Sequence, residues 1–455
     1  MANSTNKSLG GLRAKLNALH QRMGDFWWYS LMLFLACRAA DALNAFVGLW
    51  LVPKYVPPSE LGAVMPLMQF ANFLAIPIAA FANTFRNELT RLSVNKEFGK
   101  LKTLMRGVFI ASAIFMFLAI IVARLIMPAF LERIRIVEGS LGLIIIASSF
   151  VTAVSPIYSN ALQALKKFKA QSLISVIGAP VRLLTMLITM PFRALSGYFI
   201  GHASIPIFSM TASVIALKKE LSVKAEPYWN KDTFKKFSKL FILFLVWSIS
   251  GSFCTLIEST ILRQRLSDID SAGFYMATRF SEIAGFLSAT LVFTIFPFAA
   301  EKSAKKQDSR PLIFKSIIAS LIFSLLLAIP FLFFGKEILL LLPNGNLYSG
   351  YWWTIPWLIG INVFATINAL FTTTEISCYR FKFLKWMIPL EIIYPLLLLV
   401  TTGHGYFSDY IPTSWTCFLN SHNIYNLSTM LWWMTAIGAI KSIACIISML
   451  RQKTH

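Results

Sequence analysis

Twice the chain places an arginine and a carboxylate three residues apart inside a run apolar enough to cross a bilayer. The pairs are Arg38 with Asp41, and Arg279 with Glu282. That spacing puts both members on one helix face. A charge at the centre of a membrane helix costs roughly 2.5–3.5 kcal/mol on insertion scales, so its presence predicts a partner or a polar cavity. Two readings fit the pairs. They neutralise themselves and only position their helices, or the guanidinium groups hold an anion while the carboxylates hold the guanidinium groups. Asn44 lies three residues beyond Asp41 and lengthens the first pair into a polar stripe. Arg182, His202, Glu258, Glu391 and Lys441 also fall at membrane depth. For most of these, packing with a hydrogen-bond partner is the simpler expectation. Glu391, and Asp41 after it, are the candidates for coupling to a proton or cation, because a buried carboxylate can carry either.

The elements that hold these residues follow from composition. The chain has 455 residues, of which 56% are hydrophobic and 14% charged, with a mean hydropathy of +0.65. Soluble globular chains carry about 25% charged residues, so this is an integral membrane protein. The net charge of +22 does not point to nucleic acid, because Lys and Arg cluster in short connections between apolar runs. The basic N-terminus precedes a long span rather than a short one with a cleavage site, which predicts a retained leader. Five scattered cysteines (Cys37, Cys254, Cys378, Cys417, Cys445) suggest neither a disulfide framework nor a metal site.

A spanning helix needs about 20 mostly apolar residues. That criterion predicts twelve spans, near 27–52, 61–82, 105–127, 141–162, 170–190, 195–217, 240–261, 271–299, 312–334, 351–372, 384–402 and 429–450. Even-numbered connections and the two termini hold thirty Lys and Arg, the odd connections eight, and four lie inside spans. The bias predicts that both termini are cytoplasmic. The long basic connection 218–239 divides the chain into a first lobe, 27–217, and a second, 240–450. A basic N-terminus, 1–26, and a short tail, 451–455, flank them.

A weak repeat supports that division. Segments 57–67 (PPSELGAVMPL) and 267–277 (SDIDSAGFYMA) each open the second span of their half. Both carry acids in a polar turn, then a glycine (Gly62, Gly273) and a methionine three residues on (Met65, Met276). Prolines recur in matching spans: Pro77 with Pro297, Pro156 with Pro356, Pro180 with Pro389. Two related halves around a shared site are a frequent transporter design. Ordinary helix kinks explain the prolines equally well.

Glu60-Leu61-Gly62, the segment 273–277 (GFYMA), Arg279-Phe280-Ser281-Glu282-Ile283 and the terminal Phe296-Pro297 resemble the polysaccharide-biosynthesis flippases. These are the O-antigen translocase group of the multidrug/oligosaccharidyl-lipid/polysaccharide (MOP) exporter superfamily. The resemblance implies an all-α membrane protein with about twelve transmembrane helices in two six-helix lobes around a central cavity. It implies transport of an undecaprenyl-diphosphate-linked oligosaccharide from the inner to the outer leaflet of a bacterial cytoplasmic membrane. By position, Arg38 and Arg279 match the family's cationic cavity residues. Arg38 and Arg279 would contact the diphosphate, since the planar guanidinium fork suits phosphate oxygens. Asp41 and Glu282 would hold them in place and release the diphosphate, and Asn44 would complete the substrate-binding set. Implied partners are the lipid-linked oligosaccharide, membrane lipids, and the glycan polymerase and glycosyltransferases of the same pathway. No cofactor is implied; energy would come from a proton or sodium gradient. The intramembrane charges balance, four cations against four acids, which departs from a strongly cationic lining.

Other motifs are weaker. Gly197-x-x-x-Gly201 reads as close helix packing. Asp268-Ile269-Asp270 resembles a metal-binding Asp-x-Asp but suits a solvated helix start, and Asn426-Leu427-Ser428 is a short sequon with many chance matches. No phosphate-binding loop, zinc motif or nucleophile elbow appears, which points to a transporter and not an enzyme. Three rivals remain: an ion-coupled multidrug or cation antiporter of the same superfamily, a lipid II flippase, and a glycan polymerase or ligase. The last would draw on His404, Asp409 and His422 in the outer loop 402–426.

Overall fold

A computed structural model describes residues 40–137, 139–305, 307–378, 380–401 and 427–451. Arg38, the N-terminal leader, Asn426 and the loop carrying His404, Asp409 and His422 lie outside the described residues. Twelve long helices account for most of the rest. They are α1 (Val64–Leu74), α2 (Ile76–Val94), α3 (Phe98–Arg133), α4 (Gly139–Ala164), α5 (Phe168–Thr189), α6 (Ala194–Ala216), α7 (Lys231–Arg265), α8 (Asp268–Ala304), α9 (Arg310–Leu340), α10 (Thr354–Ser377), α11 (Leu384–Thr401) and α12 (Leu427–Arg451). The described part of the first predicted span is helical from Ala40, with a π-helical turn at Val47–Leu51. Backbone polar groups cannot be left open in hydrocarbon, so apolar runs of this length fold as helices that satisfy themselves internally.

Among the described residues nine of these helices are long and apolar enough to cross a membrane, and the bent pair ending in α1 and α2, counted as one span, makes a tenth. That tenth is broken at Ala75, where Pro58–Leu74 and Ile76–Val94 meet at 57°. Pro77, in the first turn of α2, has no N–H to continue the ladder and clashes with the preceding turn. Of the six prolines matched between halves, Pro297, Pro156, Pro180 and Pro389 sit inside helices, Pro356 lies in the first turn of α10, and Pro77 marks this bend.

Several boundaries differ from the sequence expectation. α2 continues twelve residues past the predicted end at 82, through Arg86 and Arg91 to Val94. α7 starts at Lys231 rather than 240, because the Asn230 side chain accepts the Thr233 N–H and Asp232 sits in the first turn. α7 also runs on to Arg265, so Arg263, expected in an outer connection, belongs to a helix and is 1% exposed.

Within the first half, α4, α5 and α6 pack together, with α2 against α4. Gly197 and Gly201 bring α6 close to α5: a Cβ at Gly197 would meet the Met190 backbone at 2.6 Å, and Gly201 lies against Met186. In the second half α10 is the hub, touching α8, α9 and α12, while α7 packs on α11. The halves join where α7 meets α1 and α2, and where α8 meets Pro58–Leu61. There the repeat segments touch, because Gly62 leaves room for Ser271.

Candidate functional site

Between the halves lies a cavity of about 810 Å³. Asn72 and Gln69 come from α1, Thr152 from α4, Glu258 from α7, Asn368 from α10, Glu391 and Tyr394 from α11, and Lys441 from α12. Among its described lining residues the charged ones are Glu258, Glu391 and Lys441. Lys441 Nζ lies 2.8 Å from Glu391, and both side chains are nearly buried, at 11% and 13% exposure. The Lys441 ammonium also sits 6.0 Å from the Tyr394 ring centroid. Glu258 is within electrostatic reach of both Lys441 and Glu391. The three charges sum to one negative, so this wall favours a cation or proton over an anion. Across the cavity, Thr255 Oγ1 donates to Gln69 Oε1 at 3.3 Å, which ties α7 to α1.

A second polar cluster lies at the junction of the first helix with α5, α6 and α8. Arg279 Nη2 pairs with Glu282 at 2.9 Å, with 16% and 44% of the side chains exposed. The stem of Arg279 lies against the first helix at Gly48, where a Cβ would come 3.2 Å from Cδ. Its guanidinium is 5.0 Å from the Tyr275 ring centroid. Arg182 Nη1 donates to Asn44 Oδ1 at 3.2 Å and lies 5.9 Å from the Tyr198 ring centroid. His202 stacks on the same tyrosine at 6.2 Å. Glu282 is within electrostatic reach of both arginines. The Nε atoms of Arg182 and Arg279, His202 Nδ1 and the Tyr275 hydroxyl are buried without a hydrogen-bond partner among the described residues. A cluster of cations with unspent donors is costly unless something anionic completes it.

Of the residues singled out from sequence, Glu391 lines the central cavity. Asn44, Arg279 and Glu282 meet in the second cluster, and Asp41 lies on the same first helix, half-buried. None of these four is among the residues lining the main cavity. His202 links the regions: the crevice beside it shares Asn72 and Thr152 with the cavity wall. Arg182, expected to be merely packed and hydrogen-bonded, is hydrogen-bonded, and its partner is Asn44. Glu258 and Lys441, placed in the same group, line the cavity, where Lys441 is paired with Glu391.

The halves are also bridged at both ends of the cavity. At the end opposite Lys166 and Glu301, Arg263 Nη2 donates to Ser59 O at 2.5 Å and Nε to Ile134 O at 3.2 Å. Its Nη1 lies 2.9 Å from Asp268, a pairing of charge at an angle too poor for a hydrogen bond. Arg135, in the left-handed region at φ 62°, donates to Arg263 O at 2.5 Å and to Leu266 O at 3.0 Å, and pairs with Asp268 at 3.1 Å. The Asp-x-Asp thus begins α8, as expected, but it is not simply solvated. Asp268 takes two arginines, and Asp270 accepts from the Ser267 and Tyr351 hydroxyls. Sequence reasoning missed this clasp. The one signal was a pair of arginines, Arg263 and Arg265, in a connection otherwise poor in cations. At the basic end, Gln163 donates to Phe293 O, Lys166 pairs with Glu301 at 3.0 Å, and the Arg86 guanidinium lies 3.6 Å from the Phe296 ring centroid.

The fold is that of MATE-family transporters of the MOP superfamily. It matches an outward-facing multidrug resistance MATE transporter with a TM-score of 0.67 at 12% identity, over 95% of this chain and 98% of that one. An inward-facing multidrug resistance MATE transporter matches at 0.61 and 12% identity, over 92% and 94%. A MOP superfamily transporter from Pyrococcus furiosus, described by the reverse polarity of its binding pocket, matches at 0.66 and 12% identity, over 95% and 98%. No family profile matches the sequence, and no curated protein matches it by sequence. The chain is therefore a multi-pass membrane protein with a transporter fold.

Proposed function

We propose that this protein translocates a lipid-linked oligosaccharide, held by its diphosphate, across a bacterial cytoplasmic membrane by alternating access, with the basic end and both termini in the cytoplasm. The observation that carries this is the second cluster. Arg182 and Arg279 share the neighbourhood of Glu282, and each keeps a buried Nε without a hydrogen-bond partner among the described residues, which a diphosphate oxygen would satisfy. Arg38 precedes Asp41 and Asn44 by three and six residues in the sequence and would add a third guanidinium. In this reading Glu282 and Asn44 orient the arginines. The Glu391–Lys441 pair, with Glu258, forms the coupling site for a proton or sodium ion, and Asp41 is a further candidate for that role. Bridging at both ends of the cavity supports two gates that open in turn. The polymerase and glycosyltransferases of the glycan pathway would be its partners.

The test is export in proteoliposomes of a short-chain polyprenyl-diphosphate oligosaccharide. Replacing Arg279 or Arg182 by alanine should lower the initial rate at least tenfold at equal protein levels. Intact export in R38A, R182A and R279A alike would sink the proposal. A second reading, an ion-coupled antiporter of organic cations, is favoured by the net negative wall of the main cavity. It predicts efflux of a cationic dye that is lost in E258Q and E391Q and indifferent to R182A.

A further inference from the structure

A surface site where α2 and α3 meet the start of α7 is built from two pockets that share a wall. The segment joining α6 to α7 lies along the start of α3. Glu226 N–H donates to Gly99 O at 3.3 Å, Thr103 Oγ1 to Glu226 O at 2.7 Å, and Lys102 Nζ to Val223 O at 3.1 Å. Gly107 lets the Trp229 indole approach α3, where a Cβ would meet it at 2.9 Å. This strap closes one end of a groove of about 450 Å³ lined by Phe81, Phe234, Phe237, Phe241 and Trp229. Beside it lies a polar pocket of about 310 Å³ that contains Glu88, Arg91, Tyr228, Asp232 and Lys236. Phe237 forms part of both walls.

Arg91 lies in the last turn of α2 and Asp232 in the first turn of α7, so the polar pocket sits at the basic end of the bundle. Trp229, Phe234 and Phe237 line the groove at about the level of Asp232 and Lys236, and at about 1.5 Å rise per residue Phe241 lies roughly 14 Å further in than Asp232. The groove therefore starts beside the polar pocket at headgroup level and runs inward to acyl-chain level. The polar pocket is formally balanced, with two carboxylates and two cations, and Arg91 Nε donates to Glu88 Oε1 at 2.8 Å. Each volume falls within the roughly 300–1,000 Å³ of small-ligand sites.

We propose that this is a binding site for a zwitterionic phospholipid with a primary ammonium headgroup, such as phosphatidylethanolamine, from the leaflet at the basic end. One acyl chain lies in the phenylalanine groove. The phosphate meets Arg91 and Lys236, and the ammonium meets Glu88 and Asp232. An anionic headgroup without the ammonium would set uncompensated charge against the two carboxylates. The groove also covers the seam between halves, where Phe81 of α2 stacks on Phe241 of α7 at 4.1 Å, so a bound chain would brace that junction. The proposal does not depend on which substrate the protein carries.

The test uses the full chain in nanodiscs containing phosphatidylethanolamine or phosphatidylglycerol with identical brominated acyl chains, which quench tryptophan on contact. Subtracting the signal of W229F isolates Trp229. Brominated phosphatidylethanolamine should half-quench Trp229 at a several-fold lower mole fraction than brominated phosphatidylglycerol. Ala111 also lines the groove, and A111F, which puts a ring into it, should abolish that preference. The double substitution E88Q/D232N, at residues that do not line the groove, should remove or reverse it. Equal quenching by the two lipids in the parent chain would overturn the proposal, and so would a preference that survives E88Q/D232N. If A111F fails to fold, the double substitution decides alone.

Discussion

Replacing Arg263 by methionine should unfasten the end of the cavity opposite the basic connections. Arg263 is 1% exposed and donates to Ser59 O and Ile134 O, carbonyls from the first half of the chain. A hydrogen bond to a charged group contributes about 1.5–3 kcal/mol, so the two together contribute about 3–6 kcal/mol. The pairing with Asp268 adds little: that carboxylate is 41% exposed and keeps Arg135 at 3.1 Å. Methionine fills most of the volume, so the loss falls on polar groups and not on a void. Once this end opens, water satisfies both carbonyls, so the loss acts on the closed state specifically. Taking the lower figure, about 3 kcal/mol lowers the closed-to-open ratio roughly a hundredfold. A reporter is at hand in Ser271, 5% exposed and packed against Gly62 at this seam. With the native cysteines replaced by serine, S271C should react with a membrane-impermeant maleimide tens of times faster in R263M than in the parent. R263K, which can keep one of the two carbonyl contacts, should fall between. Labelling of R263M at the parent rate, in protein that elutes as a folded monodisperse species, would refute the clasp.

Three further outcomes follow from the same geometry. E391A leaves Lys441 buried without its partner and should destabilise the protein by about 3–5 kcal/mol, read as a lower thermal midpoint in detergent. The double change E391L/K441L should recover most of that loss while abolishing any dependence of transport on a proton or sodium gradient; a double variant no more stable than E391A would contradict the pairing. G48V places a branched side chain against the Arg279 stem, and export should fall while a far smaller effect follows G360A, whose Cβ would enter open space. P77A restores a backbone donor at the 57° bend and should slow transport without lowering expression, with an unchanged rate arguing that the bend is passive.

Much of the frame is legible in the sequence. Apolar runs become helices because a bilayer leaves no other way to satisfy the backbone, and α3 to α12 fall where hydropathy places ten of the spans. The glycine in each repeat segment marks a close approach, Gly62 to Ser271 and Gly273 to the Tyr351 ring. Arg279 and Glu282 pair as their spacing requires, since a helix sets that contact locally. Helix ends were less legible. α2 and α7 run beyond their apolar cores because charged residues continue a helix once caps and tertiary partners support it.

What the sequence alone determined, then, is the membrane class, the helical elements, the one-sided distribution of basic residues and the pairs of charges one helical turn apart. Tertiary structure decided which distant charges meet. Arg182 reaches Asn44 across 138 residues, Lys441 closes on Glu391, and Arg263 is buried among carbonyls of the other half. It also divided the intramembrane charges between an arginine-rich cluster at the first helix and a cavity wall with two acids and one lysine. The physical reason is that hydropathy fixes a helix in depth but barely in rotation when it is apolar on most faces. Rotation is set by how neighbouring helices pack, and with it the direction in which each charged side chain points.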